Sequence, residues 1–185
     1  MTLSPPHFSL VPSTATISAR QSGQAMIELV LMVPLMCLIL FAIIDYSRAL
    51  NDEQVMVDLS RQGSNMASRG TALAAAANAL VQGSPPLNLA TAGEVIITSV
   101  ARVGSTDTIM GQVIRSAGSV TTASKIGTGV GSKAIVPAVI DDVFSKNSGQ
   151  TVYITEVYYP FQGITPLASM WNIIIPSILY QAAYF

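Results

Sequence analysis

Charge, cysteine and histidine are all scarce in this chain. Only 10% of its 185 residues are Asp, Glu, Lys or Arg, whereas soluble globular domains contain roughly 25%. A chain with so little charge must cover much of its surface with lipid or with neighbouring subunits. The formal net charge is −1 and the sequence has no basic cluster, which argues against a nucleic-acid partner.

The single cysteine and the single histidine limit the chemistry that the chain can perform. Cys37 has no second thiol to pair with and lies within an apolar run, so we expect neither an intrachain disulfide nor a metal site. His7 precedes a candidate cleavage site that is described below. Without His7 the chain lacks the commonest general base and metal ligand. The sequence therefore predicts a protein that is not an enzyme and that needs no cofactor.

A long hydrophobic run near the N-terminus is the dominant feature of the sequence. Residues 25–44 include one charged residue, Glu28, and as a helix they would rise roughly 30 Å, about the thickness of a bilayer's hydrocarbon core. Arg20 is the only Lys or Arg before the run, and the acidic Asp45 and Asp52 follow it. The positive-inside rule therefore favours a single span with the N-terminus in the cytoplasm and the C-terminus outside.

A secretory signal peptide is the competing interpretation of this run. Its apolar region is usually about 7–15 residues long and ends at a small-x-small cleavage site. Here the uninterrupted apolar stretch, 29–44, has sixteen residues and is followed by Asp-Tyr-Ser-Arg. The length and the ending both favour a membrane span.

Glu28 has an unfavourable position within that span. A charge at the centre of a bilayer costs about 2.5–3.5 kcal/mol, and less near the edge, so Glu28 either lies solvated among the headgroups or has a partner. Gly23 lies five residues earlier. If the chain is cut after Gly23, the α-ammonium of Gln24 lies one helical turn from Glu28 on the same edge of the helix. A positive chain end would then pair with a negative side chain, within one chain or between neighbours.

A glycine cleavage site, a glutamate at the fifth position after it and an apolar helix together resemble the signature of type IV prepilins. The segments QAMIELVLMVP (24–34) and IDYSR (44–48) are more narrowly similar to TadE-like pseudopilins of the tight-adherence (Tad/Flp) pilus. The segments VYITEVYYPF (152–161) and TPL (165–167) resemble the same family, which has an acidic residue, an aromatic pair and Pro-Leu in this region. The sequence departs from the family in its long leader and in Asp45, where Glu is more usual.

The resemblance implies a minor pilin or pseudopilin that a prepilin peptidase cuts between Gly23 and Gln24. It would take part in the assembly, the priming or the tip of a Tad/Flp-type pilus. Glu28 would serve assembly and processing, and Pro34 would kink the transmembrane helix or mark a melted stretch in the filament.

The same resemblance implies a set of partners and a location. The partners would be the peptidase, other pilins through the N-terminal helix, the inner-membrane assembly platform and membrane lipid. The head would lie in the periplasm, or outside the cell after assembly into the pilus. The alternative is a bitopic inner-membrane protein whose periplasmic head binds a ligand or partner.

The rest of the chain changes from helical to strand periodicity. The sequence predicts an α+β fold, in which a long N-terminal transmembrane and stalk helix is followed by a small antiparallel β-sheet head, as in pilins. It divides into a cleaved leader at 1–23, the helix at 24–70, fading beyond 63, and the head at 71–185. The expected head elements are a helix over 71–81, a hairpin of 94–103 and 107–116, a loop over 118–133, a helix over 134–145, and strands over 151–159 and 178–185.

Two segments of the head have more than one interpretation. The glycine-rich 127–131 lacks the spacing of a phosphate-binding loop, so we do not expect nucleotide binding. Residues 168–185 are uncharged and largely apolar. Core packing is the preferred interpretation for Trp171 and 173–175, and a subunit interface or a second span are the alternatives.

Overall fold

The structure, a computed structural model, describes residues 15–116, 120–146, 149–166 and 176–185. It forms two compact units, the first ending at Ala42 and the second comprising Ile43–Phe185. The elements in chain order are α1 (Ala15–Ser68), α2 (Leu73–Gln82), β1 (Glu94–Val103), β2 (Thr106–Ser116), α3 (Ala138–Lys146), β3 (Thr151–Pro160) and β4 (Ile178–Tyr184). The α+β fold class, with a long N-terminal helix before a small antiparallel sheet, is therefore confirmed.

Helix α1 begins earlier than the sequence indicates and ends within the expected range. Residues 15–19, expected to lie in a non-helical leader, are helical, because no proline or glycine occurs between Pro12 and Gly23. The C-terminal end is a Schellman motif, in which Gly70 has φ 88° and the amide of Thr71 donates to the carbonyl of Met66 at 3.1 Å. Glycine tolerates this left-handed conformation without steric cost.

The four strands form one antiparallel sheet in the order β2-β1-β3-β4. β1 is central and is almost entirely buried, which agrees with its run of Val and Ile and its lack of strict alternation. A tight turn at Gly104, which has φ 65°, connects β1 to β2. A register shift between Ser99 and Val100 adds a bulge to this hairpin.

The alternation along β3 assigns its side chains to two different cores. Val157 belongs to a cluster with α1 and α2 on one face of the sheet. Ile154 belongs to a cluster with α3 on the opposite face, and Tyr158 packs with Val120 in a third cluster on that side. The predicted division of β3 into two faces is confirmed.

Within the second unit, α2 and the sheet pack against the C-terminal part of α1. Met56 and Leu59 are buried in the core shared with α2 and the sheet, whereas Leu50, expected on the apolar face, is 41% exposed. Gly63 lies at the closest approach. A Cβ built at Gly63 would be 2.6 Å from Leu80 and 2.8 Å from Thr155, so the glycine that weakens the helix allows it to pack against the sheet.

The bounds of α3 and β4 can be compared with the expected elements. α3 begins at Ala138 rather than at 134, because the carbonyl of Pro137 accepts the amide of Ile140 at 2.9 Å and so marks the helix start. β4 matches the expected terminal strand. The expectations for Leu167, Trp171 and 173–175 lie outside the described residues.

Candidate functional site

The N-terminal part of α1 exposes an apolar surface that no other described part of the chain covers. By length and composition, the helix from Gly23 onward can cross a membrane, and none of its most apolar window is buried. Leu31 is 71% exposed and Val30 is 68% exposed. A surface of this kind requires lipid or neighbouring apolar helices around it.

Gly23 has no packing reason within the described chain to be glycine. A Cβ built at this position would meet nothing within 4 Å, in contrast to Gly63. Glycine within a helix costs about 1 kcal/mol relative to alanine, and Gly23 has no positive φ to require it. The described chain therefore gives no structural reason for a glycine at this position.

Gln24 and Glu28 lie next to each other on the surface of α1. The Nε2 of Gln24 donates to the Oε1 of Glu28 at 3.2 Å, as the spacing of one helical turn predicts. Both side chains are exposed. The main-chain nitrogen of Gln24 is thus already placed one turn before a carboxylate.

Pro34 lies inside α1, which is helical on both sides of it. Its ring replaces one amide donor, so the carbonyl of Val30 loses its helical partner. Cys37 is an exposed free thiol on the same helix. A change of the helix at Pro34 in a filament remains a prediction.

Asp45, the first residue after the apolar run, is only 1% exposed. Its carboxylate accepts the amide of Ile164 at 3.0 Å and the amide of Thr165 at 3.4 Å. The hydroxyl of Thr165 donates to the second oxygen. We call this arrangement the Asp45 clasp. It fastens the loop after β3 to α1 across about 120 residues of sequence.

The Asp45 clasp brings together the two sequence segments that resemble TadE-like proteins. Asp45 belongs to the first segment, 44–48, and Thr165 to the second, 165–167. The sequence spacing alone does not predict that Asp45 and Thr165 touch. The signal available was that both belong to the same resemblance although they lie far apart in the chain.

Glu156 forms a second buried polar centre, which we call the Glu156 hub. Its carboxylate is fully buried and accepts the amide of Lys125 at 2.9 Å and the hydroxyl of Ser124. The hydroxyls of Tyr158 and Tyr180 donate to it at 3.1 and 3.2 Å. These bonds satisfy the acceptor oxygens of Glu156 and fix the loop after residue 120 onto the sheet.

The groups around the Glu156 hub have shifted acidities. Burial, and then the nearby Glu156 carboxylate, raise the pKa of Tyr158 and of Tyr180, so both hydroxyls stay protonated well above physiological pH. Burial also raises the pKa of Glu94, although the amide of Thr122, at 2.6 Å, opposes this shift. These groups are engaged with one another and with the loop, so the hub is a structural anchor.

The described residues contain no group of three His, Cys, Asp or Glu side chains that could hold a metal ion. The predicted site residues Gly23, Gln24, Glu28 and Pro34 all lie on α1. The structure brings Gln24 and Glu28 into contact, and Pro34 lies further along the same helix.

Comparison with known proteins gives one family match. The family model described as TadE-like protein matches residues 23–65. This match confirms the resemblance over the apolar run and the first part of the helix that supports the head. It is a family of structural pilus components, so the chain is similar to a pilus-associated, pilin-like protein with an N-terminal membrane helix. The search of curated proteins and the search of solved structures gave no match.

Proposed function

We propose that this chain is a minor pilin or pseudopilin of a Tad/Flp-type pilus. It is made as a membrane-bound precursor, cut between Gly23 and Gln24 by a prepilin peptidase, and then incorporated into the assembling filament. In this proposal 1–23 is the leader, 24–70 the transmembrane and stalk helix, and 71–185 the head. The protein acts as a structural component and not as a catalyst.

The observation that carries the proposal is the contact between Gln24 and Glu28 at 3.2 Å on an otherwise apolar surface. Cleavage after Gly23 would create an α-ammonium on Gln24, one turn from the carboxylate. In the low dielectric of a helix bundle or a bilayer, such a pair of charges attracts far more strongly than in water. The pair can form within one subunit or between neighbours, where it would set their axial register.

Gly23 supports the same proposal. The described chain leaves room for a side chain at this position. The presence of glycine is explained if the peptidase requires a residue without a side chain immediately before the scissile bond. Such a residue allows the enzyme's backbone to approach closely. It also weakens the helix at the position where the chain must open for cleavage.

Extraction of the helix from the membrane is energetically feasible because its surroundings hardly change. The exposed side chains of 29–44 would leave apolar lipid for the apolar helices of a filament, so little hydrophobic free energy is lost. Pro34 has already removed one hydrogen bond from the helix, and we propose that this is where the helix loosens in the filament. A filament map with continuous helix through residues 30–34 would contradict this part of the proposal.

The proposed partners follow from the proposed route. They are the prepilin peptidase, other pilins along residues 24–44, the inner-membrane assembly platform and lipid. Before assembly the N-terminus lies in the cytoplasm and the head in the periplasm, and after assembly the subunit lies in the extracellular pilus. The large head, compared with the short major pilins that the resemblance implies, favours a minor role in priming or at the tip.

A substitution at Glu28 tests this function. Glu28→Ala should leave membrane insertion intact, because it removes a charge from the span, but should reduce pilus formation. Asp52→Ala removes an acidic residue from the same helix outside the apolar run and is the matched control. Pili are counted by electron microscopy, and the chain is quantified in membrane and filament fractions. Normal piliation with Glu28→Ala would refute the proposed role of the charge pair.

A further inference from the structure

The two edges of the sheet are protected to different degrees. Over residues 107–109, the outer edge of β2 is covered by the loop that precedes α3. The amide of Ile109 donates to the carbonyl of Ser132 at 3.0 Å, and the amide of Gly131 donates to the carbonyl of Ile109 at 2.8 Å. The amide of Ala134 donates to the carbonyl of Asp107, also at 2.8 Å. These bonds occupy main-chain groups that would otherwise pair with another chain.

The outer edge of β4 has no such cover among the described residues. Tyr153 and Phe185 exchange both main-chain hydrogen bonds, at 2.8 and 2.9 Å. Bonded pairs alternate along an antiparallel ladder, so the main-chain groups of Tyr180, Ala182 and Tyr184 point away from β3. β4 contains no charged residue and no proline, the usual devices that protect an edge from pairing.

Two cavities lie along this open edge, each lined by β4 on one side and α1 on the other, and we call the two together the groove. Near Gln181 it has a volume of about 390 Å³ and is lined by the acidic Glu53 and Asp58. Near Phe185 it has a volume of about 530 Å³ and is lined by Arg61. Residue numbers rise in the same direction on both walls, so this part of α1 and β4 run in the same direction. The groove is acidic at one end and basic at the other.

Asn65 adds an unsatisfied acceptor to the basic end of the groove. Its Oδ1 is buried and has no hydrogen-bond partner in the part of the chain that the structure describes. Asn65 lines the same cavity as Phe185. A buried acceptor left unpaired is unfavourable by about 1–3 kcal/mol.

From these observations we infer that an extended segment of a different polypeptide adds to β4 as a further antiparallel strand. Main-chain hydrogen bonds to Ala182 and its outward-pointing neighbours give the affinity, as in other cases of β-augmentation. The charged residues that line the groove determine the order of charges along the incoming segment. The incoming segment has an acidic residue in its N-terminal half, beside Arg61, and a basic residue in its C-terminal half, beside Glu53 and Asp58. This interaction concerns the head and does not depend on cleavage after Gly23.

A second copy of this chain fits the edge poorly. The β4 strand of a second copy contains no charged residue, so a pair of β4 edges cannot place an acidic residue beside Arg61 and a basic residue beside Glu53 and Asp58. A different chain has no such constraint.

A designed peptide tests the inference on the full chain in detergent micelles. The probe is a fluorescent Val/Thr peptide of about seven residues, which extends over roughly 23 Å, with Glu near its N-terminus and Lys near its C-terminus. The control peptide has the two charges exchanged. We expect the probe to bind about tenfold more tightly than the control by fluorescence anisotropy. In the control peptide, the two attractive charge pairs with the groove residues are replaced by two repulsive ones. Equal affinities, or no binding of the probe, would overturn the inference.

Two sets of variants locate the interaction. Ala182→Pro removes an outward amide without breaking a bond to β3 and should abolish binding, with folding checked by circular dichroism. Glu53→Lys with Asp58→Lys should reverse the preference in favour of the charge-exchanged peptide, a gain that unfolding cannot produce. Asp52→Lys, on the same helix but outside the groove lining, should leave the preference unchanged. If the chain instead forms dimers that Ala182→Pro dissociates, the occupant is a second copy and the inference is wrong.

Discussion

Removal of the Asp45 carboxylate should release the loop after β3 from α1. Asp45 is 1% exposed and accepts three hydrogen bonds. In Asp45→Ala the amides of Ile164 and Thr165 and the hydroxyl of Thr165 lose their acceptor. A hydrogen bond to a charged group contributes about 1.5–3 kcal/mol. Because the amide of Thr165 is 3.4 Å away and water can reach half-buried Thr165, we expect a total loss of about 2–4 kcal/mol rather than the full sum.

Hydrogen exchange at the two amides measures this loss where it occurs. A local stabilisation of about 2 kcal/mol slows exchange roughly thirtyfold, so Asp45→Ala should accelerate exchange at Ile164 and Thr165 by at least that factor. The measurement uses the full chain in micelles, and Asp58→Ala, which removes an exposed carboxylate from the same helix, is the control. The control should change stability by less than about 0.5 kcal/mol.

A double-mutant cycle shows whether Asp45 and Thr165 act together. Thr165→Val removes the hydroxyl donor and nearly preserves the shape of the side chain. If the two residues form one clasp, the double variant should be less destabilised than the sum of the single variants, by about 1–2 kcal/mol. Additive effects, or unchanged exchange in Asp45→Ala, would refute the clasp.

Three further predictions concern the head. Gly63→Ala should destabilise it by about 1–3 kcal/mol in chemical denaturation, because the added Cβ would lie 2.8 Å from Thr155; an unchanged midpoint would contradict this packing. The raised pKa values of Tyr158 and Tyr180 add stability that is complete below the ordinary pKa of 10.0 and lost as pH rises above it, so the tyrosinate absorbance that Tyr158→Phe or Tyr180→Phe removes should rise together with unfolding and not before it. The raised pKa of Glu94 adds stability only in acid and loses it as pH rises, so Glu94→Gln should be more stable than the native chain at neutral pH and equal to it below pH 4.5; a difference that persists in acid would exclude this cause.

The sequence predicts the strands well because their signals are local. The alternation along Thr151–Pro160 assigns Val157 and Ile154 to opposite faces, and both assignments agree with the structure. The hairpin follows from two β-branched runs separated by Gly104. Local sequence patterns alone thus predict the strands of the head and the hairpin.

Contacts between distant parts of the chain have no comparable local signal. Nothing near Asp45 indicates that its partner is Thr165, and the composition around Glu156 does not indicate that a loop amide and two tyrosines converge on it. Burial of a carboxylate depends on donors that only the tertiary fold assembles. The start of α1 differs from the expectation for a simpler reason, because the prolines before residue 13 exclude a helix only where they occur, and residues 15–19 are helical.

The N-terminus of the mature chain tests the central claim most directly. The protein should be purified from the membranes of cells that contain a prepilin peptidase and from cells that lack it, and then analysed by N-terminal sequencing and intact mass. We expect a chain that begins at Gln24 only where the peptidase is present, and an uncut chain with Gly23→Val. A product that retains Met1 in cells with an active peptidase would contradict the account.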